Sequence, residues 1–128
     1  EDICRNPTTG ELTDANATAC IVSSIRYKEN VMPQSSALSI INQLNPVTFN
    51  YKPELDHSIV KGQKRYGLIA EEVERVIPEL VDYEKDGVTA RTVRYEEIVS
   101  VLVKGMQEQQ KQIDALTQRL EKLEKKSK

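Results

Sequence analysis

An α+β fold is predicted for this chain: a small mixed domain of short strands, a β-hairpin and helices, then one long carboxy-terminal helix with a coiled-coil repeat. Three observations predict it. Short runs of alternating apolar and polar residues are bounded by Pro and Gly, runs with helical spacing lie between them, and from about Tyr95 onward an unbroken three-four apolar repeat takes over. The implied divisions are an arm at 1–22, an α+β domain at 23–95 and a coiled-coil helix at 96–128.

The arm, EDICRNPTTGELTDANATACIV, is rich in Asn, Thr, Asp and Ala, with turn signals at Asn6-Pro7 and Thr9-Gly10 and no sustained period. Ser23 to Lys28 reads as a strand edge or loop. Ser35 and Ser36 offer N-caps to a helix carrying Leu38, Ile41 and Leu44, which Asn45-Pro46 stops. Val47, Phe49 and Tyr51 alternate with polar residues as a half-buried strand ended by Pro53, and 54–64 is a polar connection. Tyr66 to Ile69 is a second short strand. It leads into a helix in which Ala70, Val73 and Ile77 share a face before Pro78. Leu80 to Glu84 and Val88 to Tyr95 flank Lys85-Asp86-Gly87, a hairpin signal for two antiparallel strands.

In the last segment Val99, Leu102, Met106, Gln109, Ile113, Leu116, Leu120 and Leu123 alternate in spacings of three and four, an a/d seam in which Gln109 is the one polar layer. The other faces are mostly Gln, Glu, Lys and Arg, and Gly105 costs the helix about 1 kcal/mol. A stripe this narrow, on a helix marginal in water by itself, is expected to be buried against copies of the same chain. Arg119 at g precedes Glu124 at e by five residues, the relation of an interchain ion pair in a parallel, in-register coiled coil. Two strands or more are compatible with the heptads.

Composition narrows the function. The chain has 128 residues, 38% of them hydrophobic, and adding its five glycines still leaves it under the roughly 45–50% of an ordinary globular domain, so part of it does not build a core alone. A net charge of −2 argues against nucleic-acid binding, and no apolar run approaches a membrane span. Glu1-Asp2-Ile3-Cys4 lacks a signal-peptide pattern, and the chain reads as a piece of a longer one. Cys4 and Cys20 lack zinc or redox spacing and read as free thiols, with one disulfide as the alternative. No metal site is expected. His57, the single imidazole, reads as a solvated loop residue, and Glu71-Glu72 and Glu96-Glu97 as solvated helix positions. No phosphate-cradling Gly-rich motif is present, so no cofactor is expected from the residues. What remains is a Ser/Lys combination at 23 to 28, where a neutral lysine amine can take a proton from a serine hydroxyl.

The stretches SSIRYKENV, LNPVTFNYKPE and GLIAEEVERVIPELV, then the hairpin and the coiled-coil tail, together resemble the carboxy-terminal intramolecular chaperone domain of phage tail spikes and tail fibres, the S74 self-cleaving peptidases that include the endosialidase chaperones. The resemblance runs from about residue 23 to the carboxy terminus. It implies Ser23 as nucleophile and Lys28 as base, with Arg26, Glu29 and Asn30 also matching the family's stretch. Ser24 stands where the family has Asp and is a competing hydroxyl; Glu71 stands where the family has Gln. The resemblance further implies a homotrimer, hence a parallel trimeric coiled coil. That trimer would align an upstream β-rich fibre domain of the same polypeptide and then sever itself at Val22–Ser23, in the host cytoplasm during virion assembly. An anion or nucleotide on a basic ring of the trimer is a further expectation. Two alternatives share these features. One is a trimerisation tag that does not cleave. The other is the self-cleaving domain of myelin-regulatory-factor-like, membrane-tethered transcription factors, in which Tyr51-Lys52-Pro53-Glu54 also has a counterpart. The Lys-rich end, Lys125-Lys126-Ser127-Lys128, reads as a natural terminus and favours the phage setting.

Overall fold

The computed structural model describes residues 23–128, together with the backbone of 3–5 and 12–14. The chain divides into two units, Glu1–Pro33 and Gln34–Lys128. In the first, β1 (Ile3–Arg5) and β2 (Leu12–Asp14) pair antiparallel, with Cys4 opposite Thr13. The state of the two cysteines lies outside the described residues. The segment expected as a strand edge or loop is instead a single 3₁₀ turn, Ile25–Tyr27, closed by the Tyr27 and Lys28 amides on the Ser24 and Ile25 carbonyls.

The second unit is α+β, as expected, and ends in a long helix. In chain order it holds α1 (Leu38–Ile41), β3 (Val47–Phe49), β4 (Arg65–Gly67), α2 (Ala70–Val76), a 3₁₀ turn at Pro78–Leu80, β5 (Val81–Tyr83), β6 (Ala90–Val93) and α3 (Tyr95–Lys126). Strands β3 and β4 form one antiparallel pair, with Thr48 opposite Tyr66. Strands β5 and β6 form another, with an irregularity between Asp82 and Tyr83. The hairpin turn is built by Asp86, whose carboxylate accepts the Val88 and Thr89 amides and the Thr89 hydroxyl, and Gly87 supplies the left-handed conformation at φ 71°.

Most elements are shorter than their apolar patterns imply. The β3 strand stops at Phe49, so Tyr51 lies beyond it, its ring meeting Phe49 edge-on at 5.2 Å. Pro78 ends α2 and starts the 3₁₀ turn, where its missing amide costs nothing. The polar connection at 54–64 is ordered around a buried Asp56. Its carboxylate accepts the Ser58 hydroxyl and amide and the Gly62 amide, while Lys61 Nζ donates to its carbonyl oxygen. Led by the Ser58 hydroxyl, these donors hold the Asp56 carboxyl down to about 2.

Ala37, Val73, Leu80, Val81, Val93, Ile98 and Val101 form the core, with Ile40, Ile41, Leu44 and Leu68 packed around them. Helix α3 enters this core directly from β6. Arg94 at the junction donates its backbone amide to Leu80 O at 2.8 Å, and its guanidinium reaches Asp82 at 2.8 Å and Glu97 at 3.6 Å. Ile98, Val101 and Gly105 on α3 are buried, spaced by three and four residues. A Cβ at Gly105 would collide with the Ile41 methyl, so the glycine is what lets α1 lie against the long helix.

The N-terminus of α1 corrects the expectation that Ser35 or Ser36 caps it. The capping position is Ala37, and no side chain of the segment satisfies the first amides. Glu108, just under one turn beyond Gly105 on α3, does so from outside: its carboxylate accepts the Ala37 amide at 3.2 Å, the Leu38 amide at 3.1 Å and the Ser36 hydroxyl at 3.3 Å.

Candidate functional site

The 3₁₀ turn decides what the Ser/Lys segment can do. Ser24 is extended (φ −64°, ψ 140°), the next three residues coil tightly, and Lys28 is extended again (φ −119°, ψ 144°). This geometry folds the side chain at 28 back to the one at 23. Lys28 Nζ donates to Ser23 Oγ at 3.3 Å, and both residues are exposed. Ser24 makes no side-chain capping hydrogen bond. Arg26 lies over the Tyr27 ring, 4.8 Å from its centroid, so its guanidinium is occupied by that face. Asn30 takes a left-handed conformation, φ 53°, which Asn tolerates better than most residues, and turns the chain just after Glu29. Val22 lies outside the described residues.

A hydroxyl beside an amine is a nucleophile–base pair when the amine is neutral. Loss of water around a lysine favours the neutral form. Lys28 is exposed in the single chain.

The other sequence-derived candidates disperse. His57 is exposed in the loop organised by Asp56. Glu71 is exposed, Glu72 accepts a hydrogen bond from Asn45 Nδ2 at 3.2 Å, and Glu97 faces Arg94. Among the described residues no cluster of three or more His, Cys, Asp or Glu could hold a metal ion, and no helix is long and apolar enough to cross a membrane.

The a/d positions of α3 do come together on one face. Val99, Leu102, Met106, Ile113, Leu116, Leu120 and Leu123 are between 45% and 71% exposed. Val103, next to Leu102, widens the apolar strip by another half-exposed residue. Every residue from Gln109 onward is exposed.

Among the cavities on the second unit, two lie against its folded domain. One, of about 310 Å³, lies between α1, the Pro78–Leu80 turn and α3, with Ala37, Ile40 and Val101 in its wall. The other, of about 250 Å³, is lined by Phe49, Tyr51, Arg91 and Tyr95 among others.

Residues missed from the sequence are those joining α1 to α3: Gln34, Gly105 and Glu108. Gly105 carried a signal, since an isolated Gly in an otherwise uninterrupted helical repeat marks a close backbone approach. Ile98 and Val101 carried another, as a second apolar stripe beside the seam.

Residues 23–82, a little under half of the chain, match the family Peptidase_S74, described as chaperone of endosialidase. Over this segment the chain is similar to the endosialidase-chaperone family. The match begins at Ser23, the residue paired with Lys28, and runs through β3, β4 and α2 into β5. No curated protein matches the chain. The matched segment contains the paired hydroxyl and amine, both α1 and α2, and the Asp56 loop, while α3 lies downstream of it.

Proposed function

We propose that this chain is an intramolecular chaperone that trimerises through α3, aligns an upstream β-rich domain of a phage tail spike or fibre, and then cuts itself free at Val22–Ser23. The observation that carries this reading is the Lys28–Ser23 contact at 3.3 Å, at the first residue of the family match. In this reading residues 1–22 are the end of the fibre, 23–95 the chaperone and protease domain, and 96–128 the trimerising helix.

The chaperone role has a physical basis. Pairing distant strands is slow, because loop closure precedes the contacts that reward it. Three linked helices raise the effective concentration of the chains they carry and set their register. The exposed a/d face of α3 supports the assembly, since a strip of that length has no partner among the described residues.

In the cleavage, neutral Lys28 takes the proton from Ser23 Oγ, which attacks the Val22 carbonyl carbon. The peptide C–N bond breaks, the proton passes to the Ser23 nitrogen, and an ester joins Val22 to Ser23 Oγ. Water then hydrolyses that ester, leaving a Val22 carboxylate and restoring the Ser23 hydroxyl. Each chain turns over once. Assembly gates the step if a neighbouring copy covers Lys28 and strips its water. Once the appendage is gone, the fibre cannot refold by the same route, and its persistence becomes kinetic.

The reading is tested by replacing Ser23 or Lys28 with Ala and following the chain on a denaturing gel and by mass spectrometry. The wild type is expected to release a fragment ending at Val22, and both variants to remain intact. Cutting that persists in both variants removes the dyad. A wild type that stays whole while trimeric favours the other reading, a trimerisation tag, which the exposure of Lys28 and the presence of Ser24 in place of the family's Asp support.

A further inference from the structure

We propose that Glu108 is a positioning residue for the cleavage at Ser23, the group through which assembly of α3 is transmitted to the segment that carries the dyad; the inference rests on the self-cleavage reading above.

The contacts are arranged on one side of one helix. Gln34 Nε2 donates to Ser100 Oγ at 2.8 Å, the Ala37 and Leu38 amides donate to the Glu108 carboxylate at 3.1–3.2 Å, and Ile41 rests on Gly105. Residues 34–41 are therefore fastened to α3 from Ser100 to Glu108. The seam residues Val99, Leu102, Met106 and Gln109 lie on a different side of the same turns. Gln34 follows directly on Pro33, the last residue of the unit that holds Ser23 and Lys28. Lys28 precedes Gln34 by six residues, so at most about 22 Å of extended chain separates the base from its anchor on α3.

Glu108 also sits at a boundary. Up to this residue α3 is held by its own domain; beyond it every position is exposed. A helix of that length without packing is marginal in water, so in a lone chain fraying reaches up toward Glu108. Burying the seam holds the helix from Val99 to Leu123 and keeps the Glu108 carboxylate in place. The four hydrogen-bond donations it accepts, led by the Leu38 amide, pull its carboxyl below the usual glutamate range, so it stays charged and competent to cap at neutral pH. Assembly on one side of α3 thereby fixes residues 36–38 on the other, and with them the point from which the short tether to the dyad departs. A fixed departure point keeps Lys28 within about 22 Å of Gln34, which raises the effective concentration of any covering surface held by the same assembly.

Two measurements on the full chain test this. Amide exchange at Ala37 and Leu38 is compared between the wild type and a Leu116→Asp/Leu120→Asp variant whose seam is broken. Protection is expected to fall about tenfold or more in the variant, and equal protection overturns the inference whether or not the chain cleaves. Release of the 1–22 fragment is then timed for Glu108→Ala and Glu108→Gln, with trimer mass and helical signal checked in each. Glu108→Ala is expected to remain trimeric and to cut about tenfold or more slowly, having lost hydrogen bonds to a charged acceptor. Glu108→Gln keeps a carbonyl acceptor and is expected to recover most of the rate. A Val101→Ala variant, destabilised in the core without touching the cap, is expected to cut at the wild-type rate below its melting temperature. Wild-type cutting by a trimeric Glu108→Ala overturns the inference and leaves the Ser23/Lys28 reading intact. Absence of any fragment from the wild type itself overturns both.

Discussion

The two halves of α3 are one continuous helix under two different regimes. From Tyr95 to Glu108 it has two working sides: Ile98, Val101 and Gly105 are buried in the domain, while Val99, Leu102 and Met106 remain outside. From Gln109 to Lys126 it has one apolar stripe and no burial at all. The first half packs against its own domain, and the second leaves Ile113, Leu116, Leu120 and Leu123 uncovered among the described residues. The difference shows how one element is a wall of a folded domain at one end and carries an uncovered apolar stripe at the other.

Breaking the second half has the largest expected effect. Placing Asp at Leu116 and Leu120 puts two charges in each chain's seam, and light scattering is expected to show a drop from three chains to one. Val101→Ala, in the first half, removes two buried methyl equivalents and is expected to cost about 2 kcal/mol while leaving the mass unchanged. The two variants also differ in concentration dependence, because only the assembly-linked loss responds to mass action. A monomeric wild type at micromolar concentration would refute the shared-seam account.

The tail was legible in the sequence because its signal is long and regular. The seam from Val99 to Leu123 repeats without interruption, and the observed helix runs through all of it. The short elements were legible in kind and order but not in extent. Alternation from Val47 to Tyr51 marks a strand, yet pairing with β4 extends only as far as Phe49, opposite Arg65. What set the α1 terminus was invisible locally. Ser35 and Ser36 carry the ordinary capping chemistry, but a carboxylate some seventy residues away took the amides because the Gly105 notch brings the two helices together. The Ser23–Lys28 pair was found by resemblance, since serine and lysine at that spacing are common. The tight turn that brings hydroxyl to amine was not foreseen, the segment having read as a strand edge or loop.

The Gly105 notch sharpens the comparison at intermediate size, because the same heptad position recurs one repeat later at Gln112. Leu at position 105 gains helix propensity over Gly but drives its side chain into Ile41 and Leu38. Overpacking of this kind costs about 1–3 kcal/mol, so Gly105→Leu is expected to lower the unfolding midpoint and to loosen α1. Gln112→Leu places the same side chain where nothing of its own domain lies, since Gln112 is exposed. Its unfolding free energy from urea titration is expected to stay within about 0.5 kcal/mol of the wild type. Equal losses at the two positions would mean that the notch is not what joins α1 to α3.

The smallest effect concerns how the tails are oriented. In a parallel, in-register assembly, Arg119 of one chain faces Glu124 of the next, a pair on the exposed rim worth about 0.2–1 kcal/mol. Arg119→Glu sets two carboxylates against each other and is expected to lower the melting temperature slightly, more so at low salt than at 1 M, where exposed charges are screened within about 3 Å. Adding Glu124→Arg restores an opposite-charge pair with its sign reversed, and the double variant is expected to return close to the wild-type value. An antiparallel or shifted arrangement separates the two positions, and the single and double changes would then simply add. The cycle therefore reads chain direction from the half of α3 that its own domain leaves bare.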